Sequence, residues 1–316
     1  MKDKNFTTFE EQINILKRRN LIIGNEEAAI DALKRYGYYN IINGYKEPFV
    51  IASENSDDEE KYKDGITFEE IYALFLLDRN IRISVMDAMF DVEDHLRTAT
   101  AHVIAEAFTA DQNKYLDRKN YKLGNKVNDH GSYTIDAIFN KFTNILADNT
   151  QPVKHYREDY GNVPPWILLK EASFGNIVNF IKVQKGPQKR KIISLIYGFP
   201  VSLIASNADV YNMFMDTIFI CLDYRNFSAH GGRIYNLSTK STMRYNSIIH
   251  GFMDISEADY RNGKGITGLP VLCAALSMFE DRNIVIRLKA AIKYYYDDYL
   301  EKYPSNKEYL DKYLCM

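Results

Sequence analysis

Apolar residues recur at the helical period from one end of this sequence to the other, with no convincing series of alternating strands and no repeat of fixed period. The most sustained stripe is Val85, Met89, Val92, Leu96, Ala99 and Val103, which share one helical face. An all-α fold is expected. Thr8-Phe9-Glu10-Glu11 is a capping box opening a helix through Ile13 and Leu16, and Asn25 caps a second helix ending near Gly37. Thr67 to Glu70 repeats the capping logic for a helix carrying Ile71, Leu74, Phe75 and Asp78, and the Val85 stripe reads as a later helix. Ile135, Ile138, Phe139, Phe142 and Ile145 mark a further face, Ser173 caps a short helix, and Val271 to Tyr313 is helical and Tyr-rich.

Between these lie polar stretches. Ser53 to Asp64 is an acidic, solvated loop, and the Asn- and Lys-rich run from Asp111 to Gly131 divides the chain. The expected regions are 1–110, carrying Arg97 and His102, and 132–316, carrying Arg225 and His230; one compact unit is the alternative. With 316 residues, 46% hydrophobic and 26% charged, either arrangement has enough apolar mass for a core. A net charge of -2 and a pI near 6.3 exclude a protein that coats nucleic acid by bulk charge, so any RNA contact is local.

Cys221, Cys273 and Cys315 show no metal-ligand spacing and read as buried thiols of a reducing compartment. No apolar signal segment or membrane-length run is seen, and the cytoplasm is the expected address. No cofactor and no metal are expected: His95 and His102 stand seven apart without a partner pair, and neither a Gly-rich phosphate loop nor a Gly-x-Ser-x-Gly elbow occurs.

Chemistry concentrates where the apolar run Ile218 to Leu222 gives way to Asp223, Arg225, Asn226 and His230. Charge at the end of a buried helix is costly and calls for a reason. Asn226 and His230 share a face, and Arg225 lies about 140° round the helix from His230. Gly231-Gly232 terminates the helix and leaves His230 near the negative end of its dipole, a place suited to general-acid work. RNA cleavage without metal needs a proton shuttle and a cation for the phosphorane charge, and His230 and Arg225 supply both. The structural reading is that Arg225 pairs with Asp223 or another acid, Asn226 bonds backbone and His230 caps the helix; the residues alone leave both open.

A second Arg-x4-His pair, Arg97 and His102, lies on the apolar-striped helix, where Glu93 and Arg97 also have ordinary ion-pair spacing. The clearest basic patch is a loop over Lys182 to Lys191, with Lys185, Lys189, Arg190 and Lys191 around Gly186-Pro187.

Pro164-Pro165-Trp166, Ser173-Phe174-Gly175 and Arg225-Asn226-Phe227-Ser228-Ala229-His230-Gly231-Gly232-Arg233-Ile234-Tyr235-Asn236 follow one another in an order and spacing that resemble the Abi-like abortive-infection family of bacterial proteins. Phe9 to Ile13, Tyr38-Tyr39, Gly44-Tyr45, Thr67 to Glu69, Asp78-Arg79 and Arg82 are similar too, so the resemblance runs from about Phe9 to Asn236. It implies a HEPN-like helical bundle with additional N- and C-terminal helices, a role in phage defence, and RNA cleavage by the Arg-x4-His motif. Carried over, the implied site is Arg225, Asn226 and His230, with Arg233 and Asn236 as neighbours. Arg97 and His102, or a second subunit, would complete it. Gly231 stands where relatives carry a second histidine.

The expected function is a metal-independent RNA endonuclease leaving a 2′,3′-cyclic phosphate and a 5′-hydroxyl, restrained by an RNA or protein antitoxin. Lys185, Lys189, Arg190, Lys191 and Arg233 are the expected strand contacts. The rivals are an RNA-binding module that uses the same motif for phosphate recognition, and a structural helical protein.

Overall fold

A computed structural model describes residues 6–51, 60–127 and 132–314. They form an all-α protein: no β-strand occurs among them, only the isolated bridges Ile22–Thr67, Val50–Tyr62 and Lys126–Tyr133. No described helix is long and apolar enough to cross a membrane. Most of the acidic stretch expected as a loop, and Cys315, lie outside the described residues.

One expectation needs correction. The helices read separately around Thr67 and Val85 are one 41-residue helix, Phe68–Phe108, because the polar Asp78, Arg79, Asn80 and Arg82 around the buried Ile81 interrupt the apolar pattern without a glycine or proline to break the backbone. The chain divides into two compact units. The first comprises residues 1–83, 233–235 and 291–315, and the second comprises 84–232 and 236–290.

In the first unit, Thr8 caps Phe9–Arg18 by the capping box read from sequence, and Asn25 caps Glu26–Tyr36, which ends at Gly37 with φ at 80°. Its polar centre is Asp78, which is fully buried. Asp78 accepts hydrogen bonds from the Tyr45 hydroxyl at 2.6 Å and from the amides of Ile234 and Tyr235 at 2.8 and 2.6 Å, with Arg82 at 3.8 Å. Burial pushes the Asp78 carboxyl up, and the Tyr45 hydroxyl and the two amides hold it back. Arg233 donates to the Gly44 carbonyl at 2.6 Å, and the Tyr235 hydroxyl meets that of Tyr309 at 2.7 Å.

In the second unit Val85, Met89, Val92, Leu96 and Val103 are at most 1% exposed, as the stripe requires. Phe174–Val183 packs between Thr134–Ala147 and Ala208–Ala229, with Phe142 and Phe180 in edge contact at 5.0 Å. Ala208–Ala229 also packs on Leu269–Leu276, and burial pushes the Cys273 thiol up to about 12 and Cys221 higher still, as expected of inert core thiols.

Removing Asp78 orphans two backbone amides and a hydroxyl inside the first unit. Asp78→Ala should lower stability by about 3 kcal/mol, and Asp78→Asn by clearly less, measured as the shift of the urea midpoint.

Candidate active site at the end of the motif helix

Asn207 caps the helix Ala208–Ala229, accepting from the Asp209 amide at 2.9 Å. Val210, Met213, Phe214, Ile218, Ile220 and Cys221 are buried and fix its position along most of its length. The helix stops at His230, the C-cap residue, because Gly231 takes a left-handed φ of 74° and the Gly232 amide turns back to the Phe227 carbonyl at 2.9 Å. In the last turn and a half, Tyr224 and Ser228 face inward, Asn226, Phe227 and His230 are exposed, and the Arg225 side chain is 31% exposed.

Arg225 does not pair with Asp223, whose carboxylate instead accepts the Ser241 amide at 2.6 Å. Its partner is Glu93 on the long helix, with Arg225 Nε at 3.8 Å from Glu93 Oε2. The other oxygen of the same carboxylate accepts from Arg97 Nη2 at 2.6 Å. One buried glutamate, 8% exposed, is thus shared by the arginines of both Arg-x4-His pairs.

The two guanidiniums are not equivalent. Both terminal amines of Arg97 are engaged: Nη1 donates to Asp94 at 2.6 Å, and Nη2 reaches both Glu93 and the Ala172 carbonyl, the latter at 3.4 Å, while its buried Nε has no hydrogen-bond partner. Arg225 has only the 3.8 Å ion pair, too long for a hydrogen bond, so its buried Nε has no hydrogen-bond partner, and its terminal amines make no hydrogen bond among the described residues. Buried on its Nε edge and partly exposed at its fork, it is oriented by Glu93 and open to an anion.

His102 goes elsewhere. It lines a cavity of about 610 Å³ together with Asp94, His95, Thr98, Glu280 and Asp281, which neither Arg225 nor His230 lines. Arg97 turns to Glu93 while His102 lines this cavity, so the fold brings the arginines of the two motifs to one carboxylate without placing His102 with them.

The basic loop is not a loop. Phe174–Val183 and Gly186–Tyr197 are joined by two residues, and Gly186-Pro187 starts the second helix, because proline is well tolerated in a first turn. Lys189 is buried and donates to the Lys182 carbonyl and the Tyr211 hydroxyl, both at 2.7 Å, and burial with Lys122 and Lys182 nearby lowers it to about 8. Lys191 pairs with Glu106 at 2.8 Å, Lys185 donates to the Lys119 carbonyl at 2.6 Å, and Arg190 is half-buried against Gly186. Arg233 belongs to the first unit, committed to Gly44 and 3.6 Å from Glu47.

A profile described as Abi-like protein matches residues 31–236, about two thirds of the chain. The chain belongs to the Abi-like family. Comparison with curated proteins and with solved structures gives no match. The Abi-like match takes in Glu93, Arg97 and Arg225 and ends just beyond His230. Within the second unit its sequence words have positions that make sense: Pro165 occupies the first turn of Pro165–Glu171, Ala172 at the end of that helix accepts from Arg97, and Ser173 caps the next helix.

Glu93 was legible only as the i, i+4 partner of Arg97; nothing in the sequence announced that Arg225 would share it. Glu93→Gln leaves two guanidiniums facing each other across a neutral amide and should cost about 2 kcal/mol of stability. Adding Arg97→Met should recover part of that loss, read from the denaturation midpoints of the single and double variants.

Proposed function

We propose that this Abi-like protein is a metal-independent RNA endonuclease of phage defence, built on a HEPN-type helical bundle, with Arg225, Asn226 and His230 as its site. The observation that carries this reading is the unengaged fork of Arg225, beside Glu93 and five residues before the exposed His230. In the reaction the ribose 2′-oxygen bonds to the adjacent phosphorus while the bond from phosphorus to the 5′-oxygen breaks. His230 takes the proton from the 2′-hydroxyl and delivers it to the leaving 5′-oxygen, so the products are a 2′,3′-cyclic phosphate and a 5′-hydroxyl. Arg225 holds the phosphate and offsets the charge that builds on its oxygens in the transition state. Asn226, exposed on the face of His230, orients the imidazole or binds a phosphate oxygen.

Arg97 then supports the site through Glu93 rather than touching substrate, and His102 stands outside it. Lys185, Arg190 and Lys191 are left as strand contacts of secondary weight, Lys189 being buried. A second copy of the chain would supply the further proton carrier that Gly231 does not, and an RNA or protein antitoxin would restrain the toxin.

Total RNA incubated with purified protein in excess chelator tests the reading. Wild type should cleave, Arg225→Ala and His230→Ala should each lose roughly a hundredfold or more, and His102→Ala should keep most of the activity. Loss in His102→Ala equal to that in His230→Ala would restore a site made from both motifs of one chain. Wild type that binds RNA without cutting it would leave the motif as a phosphate-recognition module.

A further inference from the structure

The last turn of the motif helix carries one group that the proposed chemistry does not use. Phe227 is 41% exposed, a phenyl ring in the same turn as two polar residues. Its position is fixed by the turn that ends the helix. Gly232 lies so close that a Cβ built on it would stand 2.8 Å from Phe227 Cδ1, and the Gly232 amide is bonded to the Phe227 carbonyl. The ring is braced from behind by the glycine turn and open on its other side.

Helical geometry sets the order of groups around this end. With Arg225 at zero, Asn226 lies at about 100°, His230 at about 140° and Phe227 at about 200°, at 100° per residue. The buried Tyr224 and Ser228 occupy the remaining arc. Phe227 and His230 are three residues apart and therefore neighbours on the surface. Across the exposed arc the helix end presents a cation, an amide, an imidazole and an aromatic face in succession.

Resting on the ribonuclease reading, we infer that Phe227 is a specificity-determining residue that stacks the nucleobase next to the scissile phosphate of single-stranded RNA. A scissile phosphate whose reacting oxygens meet His230 brings the adjoining nucleoside within reach of the phenyl ring, the neighbour of His230 on the helix surface. Stacking holds any base and favours the larger purine surface. It explains why the only residue that can lie under the ring is glycine: a side chain at position 232 would push the platform out of the path of the strand.

The test measures KM and kcat on single-stranded A and U dodecamers. Phe227→Ala should raise KM for the A dodecamer about tenfold, within the range of one lost base stack, while kcat changes little. Phe227→Trp should restore binding, Phe227→Leu, which keeps apolar bulk without an aromatic face, should not, and Gly232→Ala should raise KM in the same direction. Circular dichroism checks that each variant folds. Phe227→Leu indistinguishable from wild type, or Phe227→Ala with unchanged KM, overturns the inference and leaves the nuclease reading standing. If wild type cuts neither dodecamer, quenching of a 2-aminopurine-substituted A dodecamer decides. Quenching lost in Phe227→Ala and kept in Phe227→Trp still supports stacking after the cleavage reading has failed, and no quenching by wild type ends both.

Discussion

Glu93 is a carboxylate withdrawn from water, and taking such a group into a helical core costs several kcal/mol unless cations compensate it. Two do, from very different places in the chain: Arg97, one turn along the same helix, and Arg225, in the last turns of the motif helix. The compensation is lopsided. Arg97 closes on the carboxylate at hydrogen-bond distance and uses both terminal amines, the second on Asp94 and the first also on the Ala172 carbonyl, whereas Arg225 only approaches it, with Nε at 3.8 Å. A guanidinium whose Nε edge is buried beside a carboxylate and whose fork makes no hydrogen bond has its terminal amines available to an anion. The proposed chemistry depends on that asymmetry.

The second polar centre, Asp78, does a different job. Inside the first unit it gathers the Tyr45 hydroxyl and the amides of Ile234 and Tyr235, residues that follow the end of the motif helix by only a few positions. Several of the sequence words that resemble the Abi-like family, Gly44-Tyr45, Asp78, Arg82 and Arg233 to Tyr235, are thereby accounted for as a structural network rather than as chemistry. Of the others, the Ala172 carbonyl just before Ser173 accepts from Arg97, and Arg225 stands beside Glu93. Arg233 changes its meaning most: expected beside the RNA, it is a brace on the Gly44 carbonyl.

Much of this was readable before any coordinates, wherever the cause was local. The capping box at Thr8, the caps at Asn25 and Ser173, and the stop at Gly231 are decided by residues within one turn of each other, and the structure has each of them. What escaped depended on partners distant in sequence or on context. Asp78, Asn80 and Arg82 look like a break in the long helix, yet Asp78 is polar because it binds a segment from beyond residue 230. Lys189 looks like part of a surface patch and is buried, its ammonium bonded to Lys182 and Tyr211. Glu93 has the spacing of an ordinary surface ion pair, and its second arginine lies on another helix. His102 lines its own cavity, which its spacing from Arg97, the same as that of His230 from Arg225, does not foretell.

The unequal roles of the two arginines can be read directly from the salt dependence of binding to a single-stranded RNA whose 2′-hydroxyls are methylated, which cannot be cleaved by this chemistry. Each phosphate contact on single-stranded nucleic acid contributes a slope of roughly 0.7 in a plot of log affinity against log salt. Arg225→Ala should lower the slope by about one such contact, and Arg97→Ala should leave it near the wild-type value. An equal loss in both variants, or a loss confined to Arg97→Ala, would contradict the assignment of Arg225 as the phosphate-binding cation and of Arg97 as its support through Glu93.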